Sequence, residues 1–377
     1  MFDNLKIGIL GGGQLGAMLL RYAIDFGLDV AVLDKDSKSP CSRYSGSFTT
    51  GDPLSYDDVV RFGKNLDVIT IEKEAVSIDA LKTLRDSGVK VYPSPETIEL
   101  IQDKYVQKQF LKEHNIPVVM GWLVMDRAEL EQHVTKFPAC LKKCTSGYDG
   151  NGVIMLQTAE DLGKAFNEPC VLEELIDVKQ EISVIVSRNE SGVIECYDPV
   201  LMMFDKERML LDFQICPAGL SPEVAMQVCN IAMRVATAVN LTGIMAVEMF
   251  IATNGKIYVN ELAPRPHNSG HHTIEAAATS QFEQHLRLIL GLPMGSTRTV
   301  KPSVMINVLE PAAHRRQTIE AALKTILCTN DIHLHWYGKE KGREGRKMGH
   351  ITITSESREE AMSKSIMIRH LLKETYA

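Results

Sequence analysis

The first 34 residues constrain the fold most strongly. An apolar run at 6–10 (KIGIL) meets a cluster of glycines, a helical pattern follows over about 15–26, and a second apolar run at 30–33 ends at Asp34. Unbroken short apolar runs suit strands buried on both faces, and such strands belong to parallel sheets whose crossovers are helices. Residues 67–71 and 89–92 are two more runs of this kind. A doubly wound parallel sheet is therefore expected over about residues 1–96. Pro93-Ser94-Pro95 closes it, because two prolines in three residues end regular pairing.

Gly11, Gly13 and Gly16 form G-x-G-x-x-G between the first strand and its helix, with Asp34 about 20 residues on. That spacing suits a dinucleotide, whose pyrophosphate would sit at the helix N-terminus and whose ribose would meet the acid. It equally suits a tight turn that binds nothing. A third reading has the helix N-terminus, with Gln14, facing a phosphorylated substrate.

The texture then changes. A helical pattern over 97–114 carries Lys104 and Lys108 four residues apart. Short strands at 139–142, 153–156 and 171–175 surround a turn-rich segment containing Gly147, Tyr148, Asp149, Gly150 and Gly152. A glycine loop between antiparallel strands can cover a polyphosphate with its N–H groups. No GxxxxGK[ST] occurs, so a Walker-type nucleotidase is excluded. Spacing alone would favour a plain hairpin; Lys142 beside the loop and Lys104 on the helix shift the reading toward a triphosphate. The segment Glu173-Glu174-Leu175-Ile176, with Glu181 beyond, reads either as a solvated strand end or as backbone for an adenine edge and a carboxylate for ribose.

Glu248 and Glu261 interrupt apolar strands joined by an Asn254-Gly255 turn, which places them on antiparallel neighbours. Isolated buried carboxylates are costly, and a pair is best explained by a hard cation such as Mg²⁺, with Asn260 as a further oxygen. The stiff loop 263–272 follows, offering Arg265 for bidentate anion contacts and His267 and Asn268 as adjustable partners. Its three histidines permit zinc by spacing, but the neighbouring acids and lack of a nearby cysteine favour magnesium. His333 and His335 share a strand face and read as packing. Residues 337–350 concentrate Lys339, Arg346 and Lys347 on a glycine-rich loop suited to a phosphate monoester.

The 377 residues carry 41 basic and 48 acidic side chains, a net charge of -7. That balance argues against nonspecific nucleic-acid binding. Eight cysteines without a CxxC pattern read as reduced thiols, no apolar stretch approaches a membrane span, and the N-terminus lacks a basic leader, so a cytoplasmic protein is expected.

Together these segments resemble the ATP-grasp superfamily, and within it the N5-carboxyaminoimidazole ribonucleotide synthetases of purine biosynthesis. Residues 9–16, Gln102-Asp103-Lys104 with Gln107-Lys108, 147–152, 173–181, 260–273 and 337–350 carry the resemblance, which extends along essentially the whole chain. It implies mixed α/β and α+β architecture: an N-terminal pre-grasp domain (1–96), an ATP-grasp domain (97–300, flap about 118–177) and a small C-terminal domain (301–377). It implies ATP bound by Lys104, Lys142, Gly147, Gly150, Gly152, Glu173, Glu174, Leu175, Ile176, Glu181 and Asn260, and Mg²⁺ on Glu248 and Glu261. The aminoimidazole substrate would meet Gln14, Leu15, Glu74 and Tyr148, and its phosphate Lys339, Arg346 and Lys347. Asp149 would be the base, and Arg265, His267 and Asn268 would hold bicarbonate or carboxyphosphate. A homodimer is also implied. The chain departs from the family at Cys144, Thr145 and Asn151, where basic residues are usual, and at Met203 and Asp205, where an Asn and a His commonly face the nucleotide. Ligases of the glycinamide ribonucleotide transformylase or biotin carboxylase type, a dehydrogenase using the first glycine loop, and a nonenzymatic nucleotide-binding regulator are the competing readings.

Overall fold

The computed structural model describes residues 5–134, 137–147, 152–205, 210–312, 316–340 and 344–376. Three sheets organise them. The first is fully parallel and contains β1 (Lys6–Leu10), β2 (Asp29–Asp34), β3 (Ser47–Thr50), β4 (Val68–Ile71) and β5 (Lys90–Tyr92) in the order β3-β2-β1-β4-β5. β4 is buried at every position, which is why its sequence is continuously apolar. β3 was not expected: Ser47-Phe48-Thr49-Thr50 is a mostly exposed edge strand without an apolar signature.

The second sheet, β6 (Gly121–Val124), β7 (Ala139–Lys143), β8 (Val153–Leu156) and β9 (Cys170–Glu174), is antiparallel in the order β6-β9-β7-β8. The third contains β10 (Val178–Arg188), β11 (Ile194–Cys196), β12 (Val200–Asp205), β13 (Leu210–Cys216), β14 (Gly243–Ala252), β15 (Ile257–Ala263), β16 (Ser303–Leu309), β17 (Ile332–Trp336) and β18 (Lys347–Thr354). Its order is β15-β14-β10-β12-β13-β16-β18-β17, with β11 paired to β10. β13 pairs with β16, so the strands beyond residue 301 extend the same sheet. The helix Pro222–Ala238 covers it, placing Val228, Ala232 and Val235 against Ile182, Val184 and Val247 in one core.

The helical pattern over 97–114 forms two helices, Pro95–Gln102 and Lys104–Glu113. Asp103 divides them: its backbone is extended, and its carboxylate accepts from the N–H groups of Tyr105 and Val106 at 2.8 and 3.0 Å. An acid that caps competes with helix continuation. The break sets Lys104 at a helix start, where its N–H donates to the Cys144 carbonyl at 2.8 Å. The segment after residue 272 likewise forms two helices, Thr273–Ala276 and Gln281–Ile289, the second capped by Ser280.

One core joins the first sheet to the rest. Leu15, Met18 and Leu19 pack with Phe282, Leu286, Ile289 and Tyr337. Beside it, the Thr70 hydroxyl lies 2.8 Å from His285 Nε2, both fully buried. Burial lowers His285 to about 4, and His272, also buried, to about 4. These histidines are neutral in the folded chain and basic when it unfolds, so their stabilisation is complete above about pH 6.5 and is lost as pH falls toward 4. We predict a loss on the order of 2 kcal/mol per group by about pH 5. Urea titrations across that interval measure it, and His285→Gln should reduce the pH slope; a slope identical to that of the parent would contradict the assignment.

Candidate active site

β14 and β15 create the centre of the site. Glu248 pairs directly with Glu261, and the register then slips so that Met249 faces Val259. Asn260 is the extra residue of this bulge. A bulge lets two consecutive side chains serve one face, which ordinary alternation forbids. Accordingly, Lys104 Nζ lies 2.7 Å from Glu261 Oε1, while Lys142 Nζ donates to Asn260 Oδ1 at 2.8 Å. Ser183 of β10 is opposite Glu248, and Glu181 lies two residues earlier on that strand.

Charge is closely balanced here. Burial pushes Glu248 up to about 8, reinforced by Glu261 and Glu181. Burial is the largest influence on Glu261 and opposes its charge, but Lys104, Lys142 and His267 together hold that carboxyl below its ordinary range. Glu181 is raised by burial, with Lys142 acting against the shift. From the second sheet, Glu173 places one carboxylate oxygen 2.8 Å from Lys142 and the other 2.8 Å from Lys108. Lys108 was legible only as a neighbour of Lys104 on a helix face.

Glu174 ends β9, and Leu175 and Ile176 lead across to β10, forming the strap between the second and third sheets. At the base of the glycine loop, Gly152 has φ +96°, and a Cβ there would come within 3.0 Å of Gly147 Cα. Both ends of the loop therefore close together. Tyr148, Asp149, Gly150 and Asn151 lie outside the described residues. Cys144 is buried and Met203 exposed, so the two departures differ in setting.

The loop after β15 supplies a second group. Arg265 grips Glu74 with two nitrogens, Nε at 2.8 Å from Oε1 and Nη2 at 2.9 Å from Oε2. Glu74 is itself anchored by Gln102, which donates to the carbonyls of Glu74 and Val76. His267 Nδ1 accepts from the Ser269 N–H at 3.3 Å, which directs Nε2 toward Glu248, 3.8 Å away. Gln281 brackets the His267 backbone, accepting from its N–H at 2.9 Å and donating to its carbonyl at 2.7 Å. Nothing in the local sequence distinguishes this glutamine from other polar residues of an amphipathic helix. Among the described residues, neither end of the Asn268 amide has a hydrogen-bond partner, although both atoms are shielded from solvent. Both ends of that amide are therefore available to a water or a polar ligand.

The first glycine loop is filled from within. Glu72 accepts from the N–H of Gly13 at 2.7 Å and of Leu15 at 3.2 Å, and Asp34 accepts from the N–H of Gly12 at 2.6 Å. Amides that would bind a pyrophosphate are occupied by carboxylates, which would also repel it. This removes the dinucleotide reading. Leu15 packs its side chain into the core, which leaves its backbone as the part that could face a substrate; Gln14 begins the helix Gln14–Asp25 beside it.

The basic loop joins β17 to β18, at the opposite end of the third sheet's strand order from β14 and β15. Lys339 donates to the Lys347 carbonyl at 2.8 Å and lies over the Tyr337 ring. Burial lowers it to about 7, with Arg346 adding to the shift and Glu72 opposing it. Lys347 begins β18 and is near enough to Glu248 to favour that carboxylate's charge. His335, expected to be packing, stacks on His350 and pairs with Glu275 at 2.7 Å.

Comparison with known proteins gives the chain's relatives. The ATP-grasp domain matches residues 109–282, the ribonucleotide synthetase preATP-grasp domain residues 4–102, and the phosphoribosylaminoimidazole carboxylase C-terminal domain residues 303–364. N5-carboxyaminoimidazole ribonucleotide synthase of Bacillus subtilis is 35% identical over 366 residues, covering 96% of this chain and 94% of that protein. Longer relatives also match: the chain spans 64% of phosphoribosylaminoimidazole carboxylase of Saccharomyces cerevisiae, at 36% identity over 94% of its own length. Among solved structures, N5-carboxyaminoimidazole ribonucleotide synthetase of Thermotoga maritima superposes with a TM-score of 0.88 at 38% identity, covering 97% of this chain and 98% of that one. The Aspergillus clavatus N5-carboxyaminoimidazole synthase in complex with ADP and 5-aminoimidazole ribonucleotide gives 0.92 at 32% identity, covering 99% and 100%. Three domain matches in order and near-complete alignment with a relative of equal extent leave one conclusion: the chain belongs to the N5-carboxyaminoimidazole ribonucleotide synthase family of ATP-grasp ligases.

Proposed function

We propose that the chain uses ATP and bicarbonate to carboxylate the exocyclic amine of 5-aminoimidazole ribonucleotide, giving the N5-carboxyamino product, ADP and phosphate. The observation that carries this reading is the convergence of three groups on Glu248: Lys104 and Lys142 beside the Glu248–Glu261 pair, the loop whose His267 Nε2 lies 3.8 Å from Glu248, and Lys347, near enough to favour the Glu248 charge.

In this reading Lys104 and Lys142 meet the nucleotide phosphates, the Gly147–Gly152 loop covers them, and the 173–176 strap with Glu181 holds adenosine. The donors fit Mg²⁺: two carboxylates face one another on paired strands, and the charge of Glu248 is opposed by burial and neighbouring acids. Glu248 and Glu261, with Asn260, would hold this ion, which when bound neutralises phosphate charge. His267 and the unpaired Asn268 amide receive bicarbonate and the carboxyphosphate formed from it. Arg265 orients this loop through Glu74 and presents its remaining edge to the anion. Asp149 accepts the amine proton, and Tyr148, Gln14 and Glu74 position the ring. Lys339, Arg346 and Lys347 receive the ribonucleotide phosphate. Positioning and charge complementarity supply the catalysis.

We also propose the division into 1–96, 97–300 and 301–377, a homodimer, and a cytoplasmic setting. All eight cysteines are free thiols and no helix among the described residues is long and apolar enough to cross a membrane, which is compatible with that setting. The homodimer rests on family resemblance.

ADP release measured with bicarbonate and Mg²⁺ tests the reaction: addition of 5-aminoimidazole ribonucleotide should stimulate it and yield the carboxylated product, and absence of stimulation would count against the assignment. Glu261→Gln is expected to lower turnover at least about a hundredfold by removing charge from the cation site; near-parental turnover would sink the metal assignment. Arg346→Ala should raise KM for the ribonucleotide roughly tenfold while largely sparing kcat, and the reverse pattern would reject a phosphate role. Lys339 is charged below about pH 7 and neutral above, and phosphate favours the charged form. Hence kcat/KM for the ribonucleotide should fall as pH rises through about 7, and Lys339→Arg should flatten that limb of the profile.

A further inference from the structure

Lys108 lies behind the nucleotide cleft, its side chain only 10% exposed. Its Nζ donates to the Val119 carbonyl at 2.9 Å and is 2.8 Å from Glu173 Oε1, while Lys142 Nζ is 2.8 Å from Glu173 Oε2. One carboxylate is thus shared between two ammonium groups. The space left among Lys104, Gln107, Lys108, Lys142, Glu173 and Asn260 is a cavity of about 10 Å³, room for one water at most. No cleft ligand can reach Lys108 through it.

This arrangement is unnecessary if Lys142 merely needs a counter-ion. Glu173 alone would neutralise Lys142, and a phosphate would then compete with that carboxylate. A second cation behind Glu173 alters the sum: two positive charges and one negative leave a net charge of about +1 facing the cleft. The geometry also leaves Lys142 a donor. Two of its three N–H groups go to Glu173 and Asn260, and the third remains for a ligand. Buried charge of this kind is costly to assemble and costly to break from one side, which makes a purely space-filling role a poor explanation for a lysine at this position.

We propose that Lys108 is a positioning residue that shares Glu173 with Lys142, so that the carboxylate neutralises Lys142 only in part and Lys142 retains net positive charge for the nucleotide's phosphates. This rests on the nucleotide reading of the cleft.

The test compares binding of adenosine, AMP, ADP and ATP to the full-length protein by calorimetry, in Mg²⁺ and without bicarbonate or ribonucleotide. In Lys108→Met the affinity for adenosine should stay within about twofold of the parent, whereas the ratio of ATP to adenosine affinity should fall roughly tenfold, the effect of one unit charge across a partly screened interior. Lys108→Arg should retain the ratio. The double variant Lys108→Met/Glu173→Gln should recover it, since removing both charges again leaves Lys142 uncompensated. An unchanged ratio in Lys108→Met, or a proportional loss of adenosine and ATP, overturns the proposal. Should Lys108→Met fail to fold, a double variant that folds without recovering the ratio overturns it equally. A parent protein that binds ATP no better than adenosine would instead overturn the nucleotide reading itself.

Discussion

Charges that cannot stand alone in a protein interior are made to meet across this cleft, and the rest of the architecture serves that constraint. Lys104 from a helix start meets Glu261 from β15; Lys142 from β7 meets Glu173 from β9 and Asn260 from β15; Arg265 meets Glu74 from the segment after β4. Each pair joins segments far apart in the chain. An unpaired member would carry a large desolvation cost, so the pairs specify how the three sheets sit as well as what the cleft binds. The cleft also holds groups whose charged forms are opposed: burial and neighbouring acids push Glu248 up to about 8, and burial lowers Lys339 in the basic loop to about 7. Those unsatisfied groups are where ligands gain most.

The first glycine loop shows how one backbone device can be turned to another use. Its turn and helix N-terminus are those of a dinucleotide fold, yet Glu72 and Asp34 occupy the amides that would bind phosphate. The negative charge placed there favours the charged form of Lys339. A motif that elsewhere binds a cofactor is here filled by the chain's own carboxylates.

Legibility followed periodicity and local chemistry. The parallel sheet could be read because each of its core strands is buried on both faces and therefore apolar at successive positions. The Glu248–Glu261 juxtaposition could be read because an Asn-Gly turn sets an antiparallel register. The break at Asp103 was hidden, since a capping acid in a helical pattern looks like any exposed helix residue until its carboxylate is seen turning back on the amides of Tyr105 and Val106. The exposed β3 offered no apolar signal, and Gln281 none of function. How the strands beyond residue 301 attach to the rest was not legible either; backbone pairing between β13 and β16 carries the large sheet across that point.

The sequence by itself determined the element types, the chemical kinds of residue available and, through its motifs, the family. Turn chemistry and burial patterns act over a few residues and so are written locally. Tertiary structure alone decided which charges meet. It spent the glycine-loop amides on Glu72 and Asp34, turned consecutive Asn260 and Glu261 onto one face through a bulge, and set Glu173 between Lys108 and Lys142. Such outcomes depend on distances between segments that the chain order leaves open, and on the electrostatic cost of every arrangement in which those charges stay apart.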